Sequence, residues 1–461
     1  MSGLFASLSI ALSSLSTSQE EMAITSNNVA NANTAGYSRE VPVVAAGEPV
    51  EEGSLSFGSG VVFQKIESLR DPMLQIQINN ATQQNSSLNA SSSQLQQIQT
   101  QFASSTSGIG ADISNFFDSL QQLSSDPSDL TLRQGVLTAA DTLASDFNNT
   151  AQSLQTQSFN IDQNVVQSVA QVNSLTSQIA SVDAQISNLQ SINQDPGTLV
   201  DQQNNLIQQL SGLIDVQVIP TDQGITLATS NGTTLVSGSQ SVTLTTQASG
   251  GVHDIFSGSQ DITSSLTGGS LAGLIQVRDQ EIPSISSSLD QLAAGLATNL
   301  NNANAQGLDL ETPPVAGGNI FETPPANGVG AAATITVTMT DPSLLAASSD
   351  GTPGSNGNLV NLSAVADTAL ANGQTPIETY STLVGQVGSA TSNASADADS
   401  SNLILQQLQD QNGSVSGVSL NEEASNLIQY QNAYQSAAHV ISTINLLLLD
   451  AINLGMDQAE E

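Results

Sequence analysis

The chain has 461 residues, too many for one compact core, and its 38% hydrophobic content is enough to pack two to four units. Charged residues make up only 10%, and five basic residues (Arg39, Lys65, Arg70, Arg133 and Arg278) stand against 41 acidic ones for a net charge of -36, which argues against nucleic acid and membrane surfaces as partners, since both select clustered Lys and Arg. No cysteine is present, so disulfides, thiolate metal sites and thiol nucleophiles are excluded.

The N-terminal stretch MSGLFASLSIALSSLSTSQEEM has no Lys or Arg ahead of its apolar residues, so a cleaved secretory signal is not expected. Met1, Leu8, Leu15, Met22 and Val29 recur at every seventh position, with Leu4, Ala11 and Ala32 on the adjacent ridge. This predicts one apolar stripe of a long helix. The expected stop is Asn33 to Gly36, where glycine takes the left-handed position that ends a helix. Asn27, Asn28, Asn31 and Asn33 crowd the end of that helix with no catalytic group among them. Two readings stay open: a flexible polar stretch, or a set of amides that offer both donors and acceptors to neighbouring subunits.

Residues 73–105 and 128–193 read as long helices rich in Gln and Ser. Val165, Val169, Val172, Leu175, Ile179, Val182, Ile186 and Leu189 alternate three- and four-residue steps, the spacing of a coiled-coil seam. Asp195-Pro196-Gly197 breaks the chain before a short helix from Leu199 to Leu213. From 216 to 247 β-branched residues alternate, and Asn231-Gly232 between two such runs signals a hairpin, so a small β-subdomain is expected to end near 267. Helical patterning returns over 268–307. Residues 308–360, rich in Pro, Gly, Thr and Ala, predict a loop or small module with one strand candidate, Thr334 to Met339.

A Ser- and Ala-rich helical segment, 376–412, leads to a terminal helix starting near Leu420. There Leu420, Leu427, Tyr434, Ile441 and Leu448 recur every seventh residue, flanked by Ala424, Ala438 and Ile452, and Ser419 with Glu422 fits a capping box. The longest aliphatic run, Leu446 to Leu449, falls far short of the roughly 20 residues that span a bilayer, so no transmembrane helix is expected. Each terminal stripe is too thin to hold a helix alone. The prediction is therefore a mainly α fold with a small β-subdomain and discontinuous, nested domains. Residues 1–36 and 420–461 would pair as an antiparallel coiled coil, 37–215 with 268–419 would form a helical bundle, and 216–267 a β-hairpin subdomain.

Chemistry has few candidates. His253 and His439 are the only histidines, and His439 reads as structural. No EF-hand loop, P-loop, dinucleotide fingerprint or nucleophile elbow occurs. Adjacent carboxylates such as Glu51-Glu52 and Glu422-Glu423 read as solvated faces, so no enzyme, metal or cofactor is expected.

The stretch from Thr25 through Asn27, Asn28, Asn31, Asn33, Gly36 and Tyr37 to Ser38 resembles the shared signature of the bacterial flagellar rod, hook and hook-associated proteins. Asn426 to Tyr434, with Tyr430 inside it, and Val440 to Thr443 are similar to the closing helix of that family. Gly268 to Asp279, Asp201 to Leu210 and Ser416 to Glu423 narrow the resemblance to members at the hook–filament junction. The resemblance implies an extracellular, non-enzymatic adaptor that assembles as a homo-oligomeric ring between the hook protein and the second junction protein. It also implies export as an unfolded chain through the flagellar type III apparatus, with a cytoplasmic chaperone on the C-terminal helix. The motif residues 25 to 37 would then serve assembly, and Leu420, Leu427, Tyr430, Tyr434, Ile441 and Leu448 would serve the coiled coil and the chaperone. One departure is that 308–360 replaces the large outer domains of many relatives. Alternatives remain: another axial subunit, which would lack the 268–279 pattern, or a flagellin-like surface adhesin, which would need a large β-rich centre.

Overall fold

The structure is a computed structural model that describes residues 2–52, 55–102, 108–192, 194–221 and 224–457. The first helix, α1 (Ser2–Asn31), runs antiparallel to the last, Leu420–Asp457, so that Asn28 meets Glu423 while Ile10 and Ala11 face Ala437 and Val440. The seam on α1 is Leu4, Leu8, Ala11, Leu15, Ser18, Met22 and Thr25, each buried or half-buried. Its counterpart is Glu423, Leu427, Tyr430, Tyr434, Ala437, Ile441, Ile444 and Leu448. Both alternate three- and four-residue steps, as a helix pair must to keep one face on its partner.

Four residues of the predicted stripes and their flanking rows leave this seam, Ala424 and Ile452 by facing outward from α11. Val29 is 42% exposed, because the seam continues through Asn28 into polar contacts instead. Leu420 is 53% exposed, because α1 stops at Asn31 and no helix lies opposite it. Met1 lies outside the described residues. Residues 40–68, expected inside a helical bundle, form strands: β1 (Glu40–Ala46) pairs antiparallel with β4 (Val61–Ser68), and β2 (Val50–Glu52) with β3 (Leu55–Phe57). β1 and β4 lie on α1, where the Ser13 and Thr17 hydroxyls donate to the Val61 carbonyl.

The bundle consists of α2 (Pro72–Phe102), α3 (Ile109–Leu123), α4 (Leu130–Ser191) and α5 (Gly197–Leu213) with later helices. At 62 residues α4 is the spine, on the order of 90 Å long at 1.5 Å per residue. Its first turn is capped by Asp129, whose carboxylate accepts from the Thr131 and Leu132 N–H groups. Along it Val136, Leu143, Phe147, Leu154, Ile161, Val165 and Val172 are fully buried. The seam predicted from 165 to 189 faces the same core, with Leu175 and Leu189 half-buried at its margin.

The β-subdomain is larger than one hairpin. A four-stranded antiparallel sheet holds β5 (Gln217–Thr221), β6 (Gly224–Ala228), β7 (Thr234–Ser237) and β8 (Gln240–Ser241) in that order, with the Asn231-Gly232 turn between β6 and β7. A second sheet orders β11 (Gln260–Asp261), β10 (Val252–Ser257) and β9 (Leu244–Ser249). Both sheets pack on α4.

The chain then returns through α6 (Gly269–Gln276), a π-helical stretch Val277–Glu281 and α7 (Ile282–Ala305). The 308–360 segment contains α8 (Ala331–Thr334) and the start of α9 (Gly357–Ala364). The expected strand at Thr334 to Met339 is not formed: a single bridge, Phe321 to Val337, stands in its place. The segment folds instead over α7 by hydrogen bonds to buried amides. Asn301 accepts from the Ile320 and Phe321 N–H groups at 2.9 and 3.0 Å and donates to the Phe321 carbonyl at 2.8 Å. Asn304 and Asn358 hold the Gly318 and Ala346 carbonyls at 2.7 Å each.

The long α10 (Pro376–Ser416) lies along α2 and leads through three residues to the terminal helix, α11 (Leu420–Asp457). A capping box is present at the start of α10, between Thr375 and Glu378. At α11 the Glu422 carboxylate is drawn to Arg39 instead.

Candidate functional site: an asparagine junction and a half-covered coiled coil

Where α1 ends, the chain turns at Gly36, whose φ of 75° favours glycine and whose missing Cβ leaves room for the Asn205 amide. Asn28 organises the turn. Its Nδ2 donates to the Glu40 carbonyl at 2.8 Å and the Glu423 carboxylate at 3.2 Å, while its Oδ1 accepts from the Glu40 N–H at 2.9 Å and the Tyr37 hydroxyl at 2.8 Å. Two donors and two acceptor sites are all that a carboxamide owns, and here each is used. Asp at this position would turn two donors into acceptors facing acceptors.

Around it, Asn27 donates to Glu40 Oε2 at 3.2 Å and to the Tyr37 oxygen at 3.4 Å, and Asn31 caps back onto Asn27 Oδ1 at 2.9 Å. Thr34 donates to Asn31 at 3.2 Å. Thr25 is buried in the seam, and Asn33 stands exposed on the outer side. Three of the four predicted asparagines therefore close one local network.

The Glu422-Glu423 pair, expected as a solvated face, is split: Glu422 is exposed, whereas Glu423 is buried because Arg39 and Asn28 close over it. Arg39 Nε lies 2.7 Å from Glu423 and its Nη2 2.9 Å from Glu422. Arg70 Nε lies 2.8 Å from Asp201, which also takes the Ser38 N–H and hydroxyl at 2.8 Å each. Burial, then the carboxylates of Glu40, Asp201 and Glu423, push the Tyr37 phenol above its ordinary value. Burial also raises the Glu40 carboxyl, against donation from Asn27. For Arg39, burial acts to lower the guanidinium, but the Glu422 hydrogen bond and the charges of Glu423 and Glu422 outweigh it, leaving a net rise.

The second feature is the outer surface of the coiled coil. Leu427, Tyr430, Tyr434, Ile441 and Leu448 are only half-buried, and Leu420 is exposed. Phe5, Ile10 and Leu12 on α1 and Val440, Leu446, Leu447, Leu449 and Ile452 on α11 project outward, Leu446 at 63% exposure. In a chain of net charge -36, α1 carries no charge before Glu20 and α11 none between Glu423 and Asp450. One stretch within 376–453 is long and apolar enough to cross a membrane by length and composition alone, and it is mostly exposed. The apolar residues there are spread among Gln, Asn and Ser instead of forming one aliphatic block.

The histidines lie elsewhere. His253 Nδ1 sits 2.7 Å from Asp162 Oδ2, and the same carboxylate takes Arg278 Nη1 at 2.8 Å, delivered inward by the π-helical stretch. Although burial raises the Asp162 carboxyl, donation from His253 and the Arg278 charge bring it below the usual range. The group fixes β10 to α4. His439 is exposed on α11. Among the described residues no cluster of three His, Cys, Asp or Glu could hold a metal.

This arrangement, paired terminal helices around a nested helical bundle with an amide-rich turn behind the first helix, defines an axial protein of the bacterial flagellum. Residues 8–37 match the family described as flagella basal body rod protein, and 411–454 the flagellar basal body rod FlgEFG protein C-terminal family. Residues 95–321 match the flagellar hook-associated protein FlgK helical domain. Curated proteins named flagellar hook-associated protein 1 are similar along nearly the whole chain: 26% identical in Salmonella typhimurium, covering 96% of this chain and 99% of that protein, and 27% in Bacillus subtilis, covering 99% of each. The flagellar hook junction protein FlgK of Burkholderia pseudomallei has the same fold, with a TM-score of 0.66 at 20% identity over 74% of this chain and all of that one. Along nearly its whole length the chain is similar to the flagellar hook-associated protein 1 family. The Salmonella alignment runs over 551 positions, longer than the 461 residues here, so that relative carries insertions this chain lacks.

Proposed function

We propose that the protein is a structural adaptor of the bacterial flagellum, located outside the cell at the hook–filament junction, where copies assemble side by side through the terminal coiled coil. The observation that carries this reading is the apolar outer face of α1 ahead of Glu20 and of α11 between Glu423 and Asp450, a long stretch free of charge. A polyanion gains nothing from bringing copies together unless the contacting surface is free of charge and covers apolar area, at roughly 25 cal/mol per Å² buried. Here most of the charge lies elsewhere in the molecule.

In this reading the assembled form is a ring between the hook protein and the second junction protein, and the α11 seam is covered by a cytoplasmic chaperone before export. The assembling domain comprises 1–36 and 420–461 together with the strands at 40–68, leaving the bundle and the 216–267 subdomain outside it. The protein performs no catalysis. The experiment is electron microscopy of cells lacking it, with free flagellin assayed in the medium. Bare hooks with flagellin lost to the medium are expected; filaments of normal number and length on such cells would overturn the reading.

A further inference from the structure

Copies of a chain with a net charge of -36 repel one another, so a cation free to meet a neighbour's carboxylate has a large influence on how they line up. The chain has five basic residues, and the fold accounts for four of them. Arg39 closes on Glu422 and Glu423, and Arg70 on Asp201 and the Gly197 carbonyl. Arg278, wholly buried, is shared between Asp162 and Asp279. Arg133 is wholly buried too, with Nε and Nη1 spent on the carbonyls of Pro127, Pro342 and Leu345.

Lys65, on β4, differs from all four. Its side chain is 62% exposed, and its ion pair within the chain is with Glu67 at 3.7 Å, itself 55% exposed. A pair so open to water holds a lysine weakly. Among the described residues Lys65 is therefore the one basic side chain able to turn to another molecule. The surface around it also invites cover. β1 and β4 form a two-stranded sheet with no further strand on either edge, and two strands are marginal unless another surface covers them. α1 supplies one such surface, yet Val44, Val61 and Val62 of the same strand pair stay exposed, Val62 at 49%.

The charge balance selects a second copy of this chain as the occupant. With 41 acidic residues against five basic ones, nearly every charge that a neighbouring copy presents is a carboxylate. We propose that in the assembled protein Lys65 of one copy pairs with a carboxylate of the next, with Val44, Val61 and Val62 covered around it. Exclusion of water by the valines strengthens the attraction over that of an exposed pair. One point of opposite charge in an otherwise anionic contact also fixes its register. This pairing belongs to the assembled state alone and rests on the side-by-side arrangement proposed above.

Lys65 is the only lysine, which permits a direct test. Flagella with their hooks attached are isolated from parental cells and treated with a water-soluble carbodiimide. The reagent activates a carboxylate, and an amine nitrogen in contact with it attacks the activated carbon, forming an amide as the urea leaves. Links between copies can start only at Lys65 or at the N-terminal amine. Expected are covalent dimers of this chain in which mass spectrometry finds Lys65 joined to an Asp or Glu peptide. Lys65→Arg keeps the charge but cannot be coupled, so it should lose the dimers while holding its filaments under shear, which also shows that the strand pair still folds. Lys65→Glu should lose its filaments. A link to Glu67 of the same chain leaves the mass of a monomer. Lys65 coupled only within its own chain or only to another flagellar protein, dimers that persist in Lys65→Arg, or filaments held by Lys65→Glu as by the parent would overturn the pairing and leave the side-by-side reading standing. Absence of this chain from the isolated flagella would overturn both.

Discussion

The bundle and the terminal coiled coil use the same three-and-four spacing but meet different numbers of neighbours. Along α4, Phe147, Leu154, Ile161 and Val165 are wholly buried, because α2, α3, α5, α7 and two sheets surround that helix. On α1 and α11 only Ala11, Ile24, Ala437 and Ile444 are buried apolar residues among those described. A pair of helices can cover one face of each and no more. Full burial of a Leu or Phe is worth about 1.5–3 kcal/mol, which the bundle collects repeatedly and the terminal pair collects in part. Folding information therefore resides in the bundle, and the uncovered apolar surface of the ends is available to other copies.

The sharpest way to break this contrast is an Asp in the terminal seam. Leu427→Asp or Tyr434→Asp should abolish assembly by placing an unpaired charge between helices, scored as loss of swimming. Swimming at parental speed would mean the seam is not used. Next in size, Phe147→Ala should lower unfolding stability by about 3–5 kcal/mol in urea titrations. Leu447→Ala, at 49% exposure, should leave the monomer curve within about 0.5 kcal/mol of the parent while weakening assembly.

At the boundary between the two regions, Asn28→Ala leaves the Glu40 peptide and the buried Glu423 short of partners. A local cost of about 1–3 kcal/mol is expected, read as faster hydrogen exchange of the Glu40 amide. Unchanged exchange there would remove Asn28 from the centre of the junction.

Smaller still is a pH effect confined to the bundle. Burial, then hydrogen bonding to Asp146 and its charge, raise the Asp112 carboxyl from 3.8 to about 6. A carboxyl raised in the folded state contributes stability that is complete below 3.8 and lost as pH rises through 6. Asp112→Asn should therefore melt higher than the parent at pH 7.5, with the gap closing as pH falls to 4. The smallest effect is expected from His439→Gln, an exposed position on α11, which should leave motility intact.

Much of the helical layout was legible. The end of α1 and the start of α11 follow from Gly36 and the Leu420 row, both local signals. Residues 40–68 were not legible as strands: Val41-Pro42-Val43 and Val61-Val62-Phe63 are short and interrupted, and they pair only because α1 offers a surface to both. The Thr334 to Met339 strand failed for the opposite reason. Its alternation is real, but it meets a partner only at 320–322, through the Glu322 N–H on the Thr336 carbonyl and the Thr338 N–H on the Ile320 carbonyl, and Asn301 holds the backbone of that partner on its other side, so the pairing stops at one bridge. In the junction, the asparagines were visible as a cluster, whereas Glu40, Asp201 and Glu423 were not, since residues 395 positions apart carry no mutual mark in one sequence.

By itself the sequence determined most of the long helices, that both ends carry a seven-residue repeat, and that cations are too few for partners such as nucleic acid. These are properties of spacing and composition, and local geometry reads them directly. Only the tertiary structure decided which asparagine is the fully bonded one, that the arginines are spent inside the fold, and that the apolar residues of α1 and α11 remain uncovered. Each of these depends on what lies opposite a residue in space. Partner, burial and charge pairing are set by long-range packing, and a one-dimensional pattern fixes only the face on which they occur.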